Sequence, residues 1–286
     1  MSRRKQILDR VFALPALPEA MTRVMRLLDC PEVDAGEIAR AIECDPGMTS
    51  NLLRLANSAY FGGPRQIGSV REAFVRLGSK RTFHLIVSSV FAPMARRPVA
   101  GYDLPACALL RHSLATAIAC EELAKALAMP VPDNVFTAGL LHDIGKIVLG
   151  TFVQADGAAI QQLAFQERTP FQEAESRVLG IDHAEVGAEL LCAWNLPEGI
   201  VDAVRWHHDP DRSAAPSHMI DLVHAANLLT LMWGVGSGAD GLNYLGSAEA
   251  ARRLRLTPEL SEHALNKALE AFLGVESLFV ASAGEE

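Results

Sequence analysis

Imidazole and carboxylate groups recur together in this chain. His142-Asp143, Asp182-His183 and His207-His208-Asp209 are three joined cases, and His112 precedes them in Arg111-His112-Ser113. Both groups are good ligands for borderline metals such as zinc, iron and manganese. Five of the nine histidines, His112, His142, His183, His207 and His208, therefore stand where one or two divalent ions could be held, with Asp143 as the carboxylate. Asn227 lies further on, in His224-Ala225-Ala226-Asn227. Taken singly, each is weak. A lone histidine on a helix is more often a hydrogen-bonded core or surface residue, and a pair at a helix end can simply complement the dipole. Lys146 alone reads as a solvated lysine. The order and spacing of the whole set favour the ligand reading.

Helices must position these residues. Asp34 can cap a helix bearing Ile38 and Ile42, and Asp45-Pro46 is an N-cap with proline in the first turn. The helix it opens carries Met48, Leu52, Leu55, Ala56 and Ala59 inward and ends at Gly62-Gly63. Ser69 and Glu72 have capping-box spacing, Gly78 stops that helix, and Ser79 can start the next. Pro93 to Pro105 is the best boundary. Helical patterns follow at roughly 105–128, 134–150, 157–167, 170–178, 183–193, 198–207 and 216–233. The pattern over 134–150 places His142-Asp143 within a helix, where both side chains can still reach one ion. A Gly-rich stretch, Gly234 to Gly246, precedes a final pair at roughly 247–254 and 258–273, and Ala281 to Glu286 should fray. No stretch alternates with period two, so no sheet is expected.

Composition narrows the class. The chain has 286 residues, 50% hydrophobic and 21% charged, which supplies a core and excludes disorder. Aromatics are scarce at 6%, which leans towards packed helices. The formal charge of −8 makes nucleic acid a poor partner, although Arg65, Arg71, Arg76, Lys80, Arg81 and Arg96-Arg97 make the first hundred residues locally basic. That stretch is either a solvated face or a docking patch for an acidic partner or a nucleotide. Asn57 and Ser58 read as structural caps at a helix end. The five cysteines are scattered and form no C-x-x-C pair, so free, buried thiols and a cytoplasmic location are expected. No signal peptide or membrane span is read, and no membrane partner is expected.

The series His112, His142-Asp143, His183, His207-His208 resembles the HD superfamily of metal-dependent phosphohydrolases. Leu140 to Lys146, LLHDIGK, is that superfamily's most specific signature, and Asp182 to Leu196 looks like the HD-GYP phosphodiesterases. The run from Leu14 through Asp45-Pro46 and Leu55-Ala56-Asn57-Ser58-Ala59-Tyr60-Phe61-Gly62 is similar to the HDOD domain, and the likeness covers roughly residues 10 to 230. What this resemblance implies is an all-α protein: an N-terminal helical bundle (1–99) packed on an HD-like helical domain (100–286) with a C-terminal helical extension. It also implies a signalling module, and many relatives have lost metal ligands.

Against the catalytic members of the superfamily, Asn227 stands where they close the site with aspartate, and Ala108 where HD-GYP enzymes carry glutamate. Asparagine can ligate through its carbonyl oxygen but brings no charge. A one-turn slip would put His224 there instead. The Gly-Tyr-Pro signature is replaced by Asp209-Pro210-Asp211-Arg212. The expectation is a regulatory protein that keeps a metal site of His112, His142, Asp143, His183, His207, His208 and Asn227, holding one or two ions of iron, manganese or zinc. Catalysis should be weak or absent. The alternative is a phosphohydrolase acting on nucleotides or cyclic dinucleotides, with Asp143 bridging the metals and Lys146 contacting a substrate phosphate. Expected partners are signalling proteins, with a nucleotide or cyclic dinucleotide as the candidate ligand.

Overall fold

The computed structural model describes residues 2–13, 17–28, 34–58, 60–63, 65–236, 238–240 and 243–280. Among them the regular structure is helical, with one isolated bridge between Val99 and Leu104. Helix α1 (Arg3–Phe12) starts at Ser2, whose hydroxyl accepts the Lys5 N–H, and buries Ile7 and Val11 one turn apart. After α2 (Glu19–Leu28) comes α3 (Ala35–Glu43), which buries Ile38 and Ile42, although Asp34 makes no side-chain capping bond. Asp45 caps α4 (Pro46–Ala56) by accepting the Met48 N–H at 2.9 Å, and Met48, Leu52, Leu55 and Ala56 turn inward. Ala59, expected on the same face, lies outside the described residues. Asn57 is structural as read: its side-chain amide accepts the Ile67 N–H at 2.7 Å and donates to Ile67 O at 3.0 Å, closing the segment after α4.

Helix α5 (Val70–Ala95) breaks where expected, at Gly78 with φ +77°, and runs on through Pro93. Ser69 accepts the Glu72 N–H, while the Glu72 carboxylate takes the Gly68 N–H. There follow α6 (Ala108–Ala126), α7 (Val135–Leu141), α8 (Gly145–Glu167), α9 (Phe171–Leu179), α10 (His183–Ala193), α11 (Glu198–Trp206), α12 (His218–Met232), α13 (Ala248–Leu254), α14 (Pro258–Leu273) and α15 (Glu276–Val280). The chain divides into two compact units, Met1–Leu14 with Ala95–Phe272, and Pro15–Met94 with Leu273–Glu286. The tail 281–286, expected to fray, lies outside the described residues.

Two helix boundaries correct the sequence reading. The pattern over 134–150 is not one helix. It breaks at His142–Ile144, where Ile144 N–H bonds Leu141 O and Lys146 N–H bonds Asp143 O in tight turns. Helix α8 then runs unbroken through 151–156, between Gly150 and Gly157, where a gap was expected. A glycine costs a helix only about 1 kcal/mol, and the flanking apolar residues outweigh it. The cysteines also differ: Cys107 and Cys120 are buried, but Cys44 and Cys192 are exposed. Cys30 lies outside the described residues.

In the first unit α6 is the central element. It packs against α7 and α12, and nearly every residue from Ala108 to Ala124 is buried. Helix α10 packs against α8 and α11. The stretch Val135–Glu167 is long and apolar enough to cross a membrane, but its apolar window is 83% buried, as in a core helix. One close approach fixes the arrangement. A Cβ on Gly145 would fall 1.9 Å from His183 O, so only glycine lets α8 begin against the start of α10.

Candidate metal centre

The expected ligands come from separate elements and converge. His112 projects from α6, His142 and Asp143 from the α7–α8 break, His183 from the first position of α10, His207 and His208 from the end of α11, and Asn227 from α12. All but His208 are buried, and His208 is part-buried. The break after α7 frees the Asp143 side chain from helical spacing. Its carboxylate lies 3.6 Å from His112 Nε2, 3.4 Å from His142 Nε2, 3.3 Å from His183 Nε2 and 3.7 Å from His207 Nε2. Two groups share Asp143: His112 with His142, and His183 with His207 and His208. Within each group the ligand atoms lie within 4.8 Å of one another.

Backbone carbonyls assign the ring tautomers. His112 Nδ1 bonds Val235 O at 2.9 Å, His142 Nδ1 bonds Gly139 O at 2.7 Å and His207 Nδ1 bonds Val204 O at 2.7 Å. Each therefore donates from Nδ1 and turns the Nε2 lone pair inward. His112 Nε2 sits 3.2 Å from His142 Nε2 and 3.0 Å from Asn227 Oδ1. Three acceptors so close leave a position that a cation satisfies. His207 Nε2 and Asp143 Oδ1 are buried without a hydrogen-bond partner, a cost that a metal ion removes. The donor set fits a divalent transition metal.

The electrostatics agree. Burial, with the neighbouring His142, lowers His112 to about 4, and burial also holds His207 and His208 well below the ordinary histidine range. These rings are neutral, as ligands must be. His183 differs: burial opposes its charge, but Glu175 and Asp143 overcome that and raise it to about 10. Burial works against the Asp143 charge too, yet Lys146 and His142 hold its carboxyl well below the usual range.

His224 is occupied elsewhere. Its Nδ1 bonds His207 O at 2.8 Å, and its Nε2 accepts the Ser247 N–H at 2.9 Å. Asn227 is the residue facing His112, and Ala108 presents no ligand atom at the start of α6. Lys146 is no solvated lysine. It is 4% exposed and its ammonium bridges Asp143 at 2.7 Å and Asp240 at 2.8 Å.

Three residues of the site escaped the sequence reading. Glu175, fully buried on α9, accepts from His183 Nδ1 at 2.7 Å and from His183 N–H at 3.0 Å, and receives the Tyr102 hydroxyl at 2.5 Å. Such a carboxylate behind a ligand histidine fixes its ring and raises its basicity. One signal was present: Glu175 sits between Phe171 and Leu179 on the buried stripe of α9, and a charge there demands a partner. Asp240 and Tyr244 come from the Gly-rich stretch, where no periodicity announces them.

A sequence profile of the HDOD domain matches residues 14–210. An uncharacterized protein of Treponema pallidum (strain Nichols) is 27% identical over 224 residues, which is 78% of this chain. The chain spans 43% of that relative's length. The crystal structure of an HDOD domain protein from Geobacter sulfurreducens superposes with a TM-score of 0.68 at 26% identity, covering 96% of this chain and 93% of that one. A protein of Shewanella amazonensis SB2B, provisionally named a phosphohydrolase, superposes with a TM-score of 0.65 at 25% identity, covering 92% and 97%.

Proposed function

This chain belongs to the HDOD domain family, and from that premise we propose that it is a signalling module whose histidine–aspartate cage holds one or two divalent transition-metal ions while hydrolysis there is weak or absent. The observation that carries the reading is Asn227 Oδ1, 3.0 Å from His112 Nε2, as the neutral oxygen at the end of a ligand set with inward lone pairs. An ion held by His112, His142, Asp143, His183, His207, His208 and Asn227 would supply Lewis acidity and lower the pKa of a bound water. Asp143 alone brings negative charge to both groups, so a centre loaded with divalent ions would be cationic and would attract anions, with no second carboxylate to balance a hydroxide. Lys146 is held between two aspartates, which leaves it little charge to offer a phosphate.

Partners would be other signalling proteins in the cytoplasm. The second unit offers Arg65, Arg76 and Arg81 around one cavity of about 570 Å³, with Arg76 paired to Glu72 at 2.7 Å. The test is metal content measured beside turnover of nucleotides and cyclic dinucleotides. Bound metal with negligible turnover is expected.

The second reading is a working phosphohydrolase with Asp143 between two ions and Lys146 on the substrate phosphate. The Shewanella amazonensis relative and the number of cage histidines favour it. Turnover at enzyme-like rates, lost together with metal in His142→Ala/Asp143→Ala, would establish it over the first.

A further inference from the structure

Beside the cage lies a contact that metal binding does not require. The Lys146 ammonium carries a second carboxylate, Asp240, at 2.8 Å, and Asp240 is only 3% exposed. The same Asp240 oxygen accepts the Tyr244 hydroxyl at 3.0 Å. The Tyr244 ring lies flat on His208, with centroids 4.4 Å apart and planes 5° from parallel. An acidic group on a lysine, joined to an aromatic ring stacked on a histidine, has the two recognition features of a nucleoside phosphate.

We propose that Asp240 and Tyr244 form a built-in mimic of a nucleoside phosphate: the carboxylate takes the anion position on Lys146, and the ring takes the stacking face of His208. The inference deepens the reading of the cage as the ligand site, and rests on it. The charge count supports it. One ammonium faces two carboxylates, Asp143 and Asp240, so an incoming phosphate must displace Asp240 or meet its repulsion. The stack supports it too, because flat aromatic contact is what a nucleobase would use on an imidazole face.

The backbone holds the mimic in place. The Ala239 N–H donates to Tyr102 O at 2.7 Å, and a Cβ on Gly238 would fall 2.1 Å from that oxygen. Tyr102 is itself bonded to Glu175, so the backbone at 238–240 is referenced to the carboxylate that orients His183. If the mimic occupies about nine-tenths of the molecules, releasing it tightens a competing ligand about tenfold.

The test is calorimetric titration of adenosine monophosphate and of inorganic phosphate into the wild type, Asp240→Asn and Tyr244→Ala, each with and without Lys146→Met. Metal content and thermal melts are recorded on the same samples. Asp240→Asn should tighten both probes about tenfold. Tyr244→Ala should tighten the nucleotide more than phosphate, and Lys146→Met should cancel the phosphate gain. Gly238→Ala, which keeps both side chains and displaces the segment, should reproduce the nucleotide gain. Folded Asp240→Asn and Tyr244→Ala proteins with wild-type affinity for both probes overturn the proposal, as does a phosphate gain that survives loss of Lys146. Metal-free wild type with the gains intact would refute the metal reading and keep the mimic; metal-loaded protein without the gains would do the reverse.

Discussion

His112, His142 and His207 each give Nδ1–H to a backbone carbonyl, and His183 gives its own to Glu175. The first three rings turn their protons outward and their Nε2 lone pairs inward, while His183, raised to about 10, also carries a proton on Nε2, 2.8 Å from His208 Nε2. Replacing Glu175 with glutamine removes the charge behind His183 and should weaken metal binding about 10- to 100-fold, read by competition with a chelating dye. Asn227→Asp restores a carboxylate beside His112 and should tighten metal by about tenfold in the same assay. The buried neutral rings also set an acid limit. His112 falls from 6.5 to about 4 on folding, chiefly through burial. Its contribution is present above pH 6.5 and is lost as pH falls through about 4, on the order of 3 kcal/mol. His183, raised to about 10, has the opposite sign: its contribution is full below pH 6.5 and is lost as pH rises through 10. Urea midpoints of the chelated protein should therefore drop between pH 6.5 and 4, with a shallower drop in His112→Leu.

At the scale of elements, the spacing of glycines decides what the site can be. A methyl at Gly145 would meet His183 O at 1.9 Å and Gly187 N at 2.6 Å, both backbone atoms with no way to swing aside. Gly145→Ala should cost about 3 kcal/mol or more of stability, measured by denaturant unfolding, and should weaken metal binding because α8 and α10 separate. This contact also explains what was legible in the residues. Helix α10 starts at His183, where the pattern over 183–193 places it, because the cap is local: the Asp182 carboxylate accepts the Glu185 N–H at 2.8 Å. The break at His142–Ile144 was not legible, because the apolar pattern runs straight through it and the cause is a neighbouring helix. The five cage histidines were readable as types in order. Glu175, Asp240 and Tyr244 were not, because each acts through a partner on another element: His183, Lys146 and His208 respectively.

At the scale of the whole molecule, the first unit gathers the cage residues from α6, the α7–α8 break, α10, α11 and α12, so an ion would tie together helices that are remote in sequence. Binding to the folded state alone stabilises it by mass action, about 2.7 kcal/mol at a hundredfold excess over the dissociation constant. Adding manganese or zinc to chelated protein should raise the melting temperature, and His142→Ala/Asp143→Ala should abolish the rise. Retention of the cage as a metal site, although its last oxygen is neutral, is open to direct measurement by elemental analysis of protein purified without chelator and without a nickel resin. One or two divalent ions of iron, manganese or zinc per chain are expected in the wild type and none in His142→Ala/Asp143→Ala. Folded wild-type protein that is free of metal, and stays so after incubation with each ion, would contradict it.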